Sequence, residues 1–168
     1  ADIVVNDTRV YVASTDRSLY CLDRVSGRRI WRERFDAPLN TSPIVSGSNV
    51  YQLVPDQGLI VLDAETGRRV WARPEGGRML GQMGDDAYLL GTDGTPQLLR
   101  VSAANGRKKE EVHSSGSDFA IAGLADHSMF LGDSTGNLVC LRPASAPRLK
   151  PEQLQEALRV DHKVQLAA

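Results

Sequence analysis

Cys21 and Cys140, with His113, His127 and His162, are the residues of this 168-residue chain best suited to nucleophilic or metal chemistry. A zinc site needs three or four converging ligands. The three histidines lie far apart with no paired spacing, so each reads as a loop or surface residue. The stretch Gly81–Asp86, "GQMGDD", has the glycines of a phosphate loop but leads into a strand-like run instead of a helix, so the helix N-terminus that holds a phosphate is missing. Asp85 and Asp86 lack the alternating oxygen ligands of a calcium loop and read as a solvated hairpin turn. No serine stands in a nucleophile-elbow pattern. No residue is assigned a catalytic step and no metal site is expected.

The elements that would position these residues form a repeat. The core segments Leu19–Asp23, Leu59–Asp63, Leu98–Ser102 and Leu138–Arg142 recur about every 40 residues, a period that signals a repeat architecture. A second strand precedes each core: residues 9–14, 49–54, 86–91 and 128–133. Polar turns join the two, at residues 16–18, 56–58, 92–94 and 134–136, where Asp and Gly tolerate left-handed backbone or bond their own chain. A short strand comes earlier still, as at residues 2–7 and 42–47. After the core comes a glycine turn (Gly27, Gly67, Gly106) and a last strand such as "RRIW" or "RRVW". The cores are apolar on both faces, as in sheets packed on both sides. About four strands per repeat, stacked face to face, describe an all-β propeller of four-stranded antiparallel blades. A solenoid is the competing reading. The expected blades span about 1–39, 40–77, 78–116 and 117–149, with a tail at 150–168.

The repeat also bears on the cysteines. Cys21 and Cys140 share one repeat position three blades apart, and a disulfide needs Cα atoms within about 7 Å. Two buried free thiols are expected. With 41% hydrophobic and 24% charged residues the composition is that of a globular protein. No apolar run approaches the ~20 residues of a membrane span. A net charge of −1 without a basic block argues against nucleic acid as a partner. Arg28–Arg29 and Arg68–Arg69 read as solvated strand ends.

"LDAETGRRVW" resembles the repeat of quinoprotein-type, PQQ-like propellers: an apolar strand, Asp, two variable residues, Thr-Gly, three variable residues, Trp. The second repeat matches with Asp63, Thr66, Gly67 and Trp71, and the first with Asp23, Gly27 and Trp31, Ser26 replacing Thr. The third keeps Gly106, with Glu110 near the tryptophan position; the fourth has lost Asp, Gly and Trp. The resemblance covers residues 1–149. It implies that Trp31 and Trp71 dock neighbouring blades, that Gly27, Gly67 and Gly106 permit the turns, and that Asp23 and Asp63 belong to the same structural motif. It implies a ring of about seven or eight blades, of which four are recognisable here. The dehydrogenases of the family bind a quinone beside calcium at the ring centre, and a Cys-Cys pair is frequent in alcohol-oxidising members. This chain has no Cys-Cys, and no cofactor is expected.

The tail changes character. Pro151 suits a first helical turn and Leu154 and Leu158 share a side, so residues 151–159 read as a short amphipathic helix. Residues 161–168 could supply the outermost strand that the fourth repeat lacks, or equally reach another chain. The resemblance implies a non-catalytic scaffold or protein-interaction module, similar in kind to the propeller lipoprotein of outer-membrane assembly, in the periplasm or outside the cell. A row of four blades leaves an apolar face at each end, so further blades of a longer chain or a second copy are expected to close the ring. A fragment of a quinoprotein oxidoreductase and an extracytoplasmic receptor-kinase sensor are the alternatives.

Overall fold

The repeats fold into a row of small antiparallel sheets. The structure, a computed structural model, describes residues 2–91, 97–113, 119–123, 128–132 and 138–141. The first sheet holds β1 (Val4–Val5), β2 (Arg9–Ser14), β3 (Ser18–Asp23) and β4 (Arg29–Arg34). The second holds β5 (Ile44–Ser46), β6 (Asn49–Val54), β7 (Gly58–Asp63) and β8 (Arg69–Arg73). The third holds β9 (Arg78–Met83), β10 (Asp86–Leu90), β11 (Gln97–Ser102) and β12 (Lys108–His113). The fourth holds β13 (Phe119–Gly123), β14 (Ser128–Gly132) and β15 (Leu138–Leu141). Strands follow sequence order within each sheet. Strand β9 lies against β5 on one side and β13 on the other, so first strands of successive sheets gather at one edge, as around a propeller axis.

Alternation along each strand sends side chains to two faces, and both are used. Tyr11, Ala13, Leu19 and Cys21 of the first sheet pack with Val50, Val54, Ile60 and Leu62 of the second. The other face of the second sheet, with Tyr51, Leu59 and Val61, packs on Ala87, Leu89, Leu99 and Val101 of the third. The far face of the third carries Leu80, Met83, Tyr88, Leu90 and Leu98. Two-sided burial of the second sheet is why its core, Leu59–Leu62, reads as an unbroken apolar run.

One bulge recurs. Cys21 faces Trp31 but Leu22 faces Arg29, so Ile30 is the extra residue; Val70 and Lys109 take the same place in the next two sheets. A bulge leaves its extra residue unpaired and turns the strand. Ile30 and Val70 are accordingly exposed, each beside a buried tryptophan.

One sequence expectation shifts, and several lie outside the described residues. Residues 81–83 of "GQMGDD" belong to β9, and the turn is confined to Gly84 and Asp85. His113 is the last residue of β12. The predicted helix at 151–159, the strand at 161–168 and the turns at 92–94 and 134–136 lie outside the described residues.

Candidate functional site

The Asp-x-x-Ser/Thr-Gly turn is built from its own side chains. Asp63 Oδ1 accepts from the Thr66 amide at 2.8 Å and from Thr66 Oγ1 at 2.6 Å. Asp23 does the same with Ser26, at 2.7 and 2.6 Å, so serine replaces threonine without loss of a bond. The hydroxyl bond first, and the amide bond second, hold both carboxyl groups below the usual carboxylate range. In the third repeat, Asn105 Oδ1 accepts from the Arg107 amide at 3.0 Å instead.

Each tryptophan leaves its own sheet and rests on the next sheet's turn. A Cβ at Gly67 would stand 2.6 Å from the Trp31 ring, and one at Gly106 2.6 Å from the Trp71 ring. Trp31 Nε1 donates to the Ala64 carbonyl at 3.1 Å, and Trp71 Nε1 to the Ala103 carbonyl at 2.8 Å. A tyrosine backs each indole: Tyr11 at 5.9 Å between centroids and Tyr51 at 6.0 Å, both in the tilted to edge-on arrangements that aromatic quadrupoles favour.

Several partners in these contacts were not singled out from the sequence. Arg9, opposite Asp23, donates Nη1 to the carbonyls of Ala64 at 2.7 Å and Glu65 at 3.0 Å. Asn49, opposite Asp63, donates Nδ2 to Ala103 at 2.9 Å. One carbonyl in each receiving turn therefore takes an indole and a second donor from the preceding sheet. The Tyr51 hydroxyl donates to Gln82 Oε1 at 2.9 Å. Arg69 is the exposed first residue of β8, the solvated strand end expected of it, and it also reaches the preceding repeat. Its Nε donates to Glu33 of β4 at 2.7 Å and its guanidinium lies 5.4 Å from the ring centre of Phe35, just after β4. The signal available was Tyr11 and Tyr51 at one repeat position, next to a strand start.

The third sheet breaks the pattern at the same register. Arg100 takes the place of Cys21 and Val61, Glu110 that of Trp31 and Trp71, and Asp86 that of Arg9 and Asn49. Arg100 pairs with Glu110 at 3.1 Å and with Asp86 at 3.6 Å, and Lys109 also pairs with Asp86. Partly exposed pairs of this kind add little stability. They also occupy Asp86 with cations of its own sheet.

The two thiols differ. Cys21 is buried beneath Trp31, its cross-strand neighbour, and burial pushes its thiol up. Cys140, expected to be buried, is exposed. Its sheet has no described strand beyond β15 to provide the neighbour that Trp31 provides for Cys21. A thiol reagent should label Cys140 in the native protein and Cys21 only after unfolding, because the thiolate is the reactive form. Mass spectrometry of the native adduct checks this, and equally fast labelling of Cys21 would contradict it.

Among the described residues, no three His, Cys, Asp or Glu side chains gather as a metal site requires. His127 and His162 lie outside those residues. A cleft of about 350 Å³ opens where β5 approaches β9, lined by Thr41, Ser42, Ile44, Arg78 and Met79 among others. No helix is long and apolar enough to cross a membrane, among the described residues. The arrangement around the turns joins sheet to sheet through indole, tyrosine and guanidinium contacts.

A family model described as "Outer membrane protein assembly factor BamB" matches residues 1–95. No curated protein matches the sequence significantly. Among solved structures, BamB from Moraxella catarrhalis is similar at 14% identity and a TM-score of 0.64, over 83% of this chain and 48% of that one. The computationally designed Ika4 protein is similar at 14% identity and a TM-score of 0.63, over 83% of this chain and 88% of that one. A europium-containing methanol dehydrogenase is similar at 12% identity and a TM-score of 0.64, over 84% of this chain and 39% of that one. The chain spans about half the BamB chain and about two fifths of the dehydrogenase. At these identities the likeness is one of fold.

Proposed function

This chain belongs to the PQQ-like propeller repeat family of the outer membrane protein assembly factor BamB, and we propose that it is an arc of a larger propeller acting as a non-catalytic protein-interaction scaffold on the extracytoplasmic side of a membrane. The observation that carries the arc is the outward face of the first sheet. Val50, Ile60 and Leu62 of the second sheet are at most 2% exposed. The same positions in the first, Val10, Tyr20 and Leu22, are only half-buried, and Ile3 and Val5 beside them are 62% and 51% exposed. A face with this composition is covered in a propeller by the next blade, and soluble monomers avoid leaving one open. The scaffold role and the compartment draw support from the family description. The remaining blades come from a longer chain or a second copy, and the partner is another protein.

In this reading the chain takes up no quinone. Adding pyrroloquinoline quinone with calcium should leave both its absorbance spectrum and its melting curve unchanged. Stoichiometric uptake with a clear rise in melting temperature would replace the scaffold by an oxidoreductase fragment. Isolated from the cell envelope, the native full-length protein should bring a protein partner in fixed stoichiometry.

A further inference from the structure

The turns after β3, β7 and β11 are built alike. In each the glycine N–H donates to the carbonyl at the strand end: Gly27 to Asp23 and Gly67 to Asp63 at 2.9 Å, Gly106 to Ser102 at 2.8 Å. In each the residue after the strand donates its N–H to the turn before the second strand: Arg24 to Thr8, Ala64 to Ser48, Ala103 to Asp85. The glycine φ angles are +68°, +71° and +70°. Two of the three turns carry an indole, Trp31 on Gly67 and Trp71 on Gly106. Over Gly27, no described atom lies within 4 Å of where a Cβ would stand.

We propose that the Gly27 turn and the outward face of β2 and β3 form a seat for one further blade, whose tryptophan lies on Gly27 and donates its indole N–H to the Arg24 carbonyl. This deepens the arc reading and rests on it. The seat selects its occupant by chemistry. Glycine leaves a flat floor, the Arg24 carbonyl stands where the Ala64 and Ala103 carbonyls receive an indole, and Val5, Val10 and Leu22 form the apolar surround. A flat apolar ring with one N–H fits that set. A second copy of this chain does not supply it. The chain has two tryptophans, and both are already seated. At the matching place of the third sheet stands Glu110, paired with Arg100. The occupant is therefore a blade of different sequence, carrying a tryptophan on its outermost strand.

The spacing of the repeat provides the test. From Asp23 to Asp63, and from Trp31 to Trp71, the motif recurs after 40 residues. A copy of residues 1–40 joined directly before residue 1 of the full chain places the copy's tryptophan at the original Gly27. The extended chain should unfold at higher denaturant than the natural one, with the added indole shielded from a soluble quencher. Gly27→Ala, made at the original position, should lower the folding constant about tenfold more in the extended chain than in the natural chain. Backbone strain is common to both, and only the extended chain adds overpacking against the ring. A copy that stabilises the chain while Gly27→Ala costs the same in both would overturn the seat and leave the arc standing. A copy that adds no stability, its indole open to quencher, would overturn both.

Discussion

Trp71→Ala should lower the stability of the chain by about 3–5 kcal/mol, the range for truncating a buried aromatic side chain. Three separate contacts fail together. The ring is 9% exposed and packs with Tyr51, Leu59, Val61 and Val101 in the cluster between the second and third sheets. Its floor is the Gly106 turn, which has no side chain to move into the space left behind. Its N–H donates to the Ala103 carbonyl at 2.8 Å, in a buried contact. Asn49 still donates to that carbonyl at 2.9 Å, so the oxygen is not orphaned and most of the loss comes from packing. Trp71→Phe separates the two terms. It keeps much of the apolar area and removes the donor, so its cost should fall to about 1–2 kcal/mol. Trp31→Ala should resemble Trp71→Ala, because Trp31 is 8% exposed and its acceptor Ala64 also keeps a second donor, Arg9. Denaturant titration of each variant measures the losses. Values below about 1 kcal/mol at both tryptophans would remove the docking role.

The architecture was legible because its signals are local. An apolar run, a turn and an aromatic residue lie within one stretch such as Leu59–Trp71, and the stretch repeats. What joins one repeat to the next was less legible, because the partners are distant in sequence and chemically unlike. Arg9 and Asn49 share no side-chain chemistry beyond an N–H donor, yet each reaches a backbone carbonyl more than 50 residues away. A carbonyl belongs to every residue, so no residue type marks Ala64 or Ala103 as the acceptor. Cys140 shows the limit of equivalence between repeats. It holds the position of Cys21, but burial at that position depends on a cross-strand neighbour from outside the core segment. Residues 81–83 went to a strand because pairing with β10 overrides the weak strand preference of glycine.

Gly67→Ala carries the second large effect, and a double-mutant cycle with Trp31→Ala separates its causes. Gly67 has φ +71°, where an L-residue costs about 1–2 kcal/mol relative to glycine. The added methyl would also stand 2.6 Å from the Trp31 ring, nearer than carbon atoms approach one another. The ring has little freedom to retreat. Its N–H is tied to Ala64 at 3.1 Å and Tyr11 backs it at 5.9 Å. Overpacking a fixed neighbour costs about 1–3 kcal/mol, so the single variant should lose about 2–5 kcal/mol in total. With Trp31 already replaced by alanine, the methyl has room, and Gly67→Ala should cost only the backbone term of about 1–2 kcal/mol. The two substitutions are thus expected to be strongly non-additive, with the double variant more stable than the sum of the singles predicts. Additivity within about 0.5 kcal/mol would mean that the indole does not rest on Gly67 in solution. The same cycle on Gly106 and Trp71 should give the same sign of coupling, since the methyl there would meet the Trp71 ring at 2.6 Å. Coupling at one turn and not the other would show that the two junctions are held differently despite their shared motif.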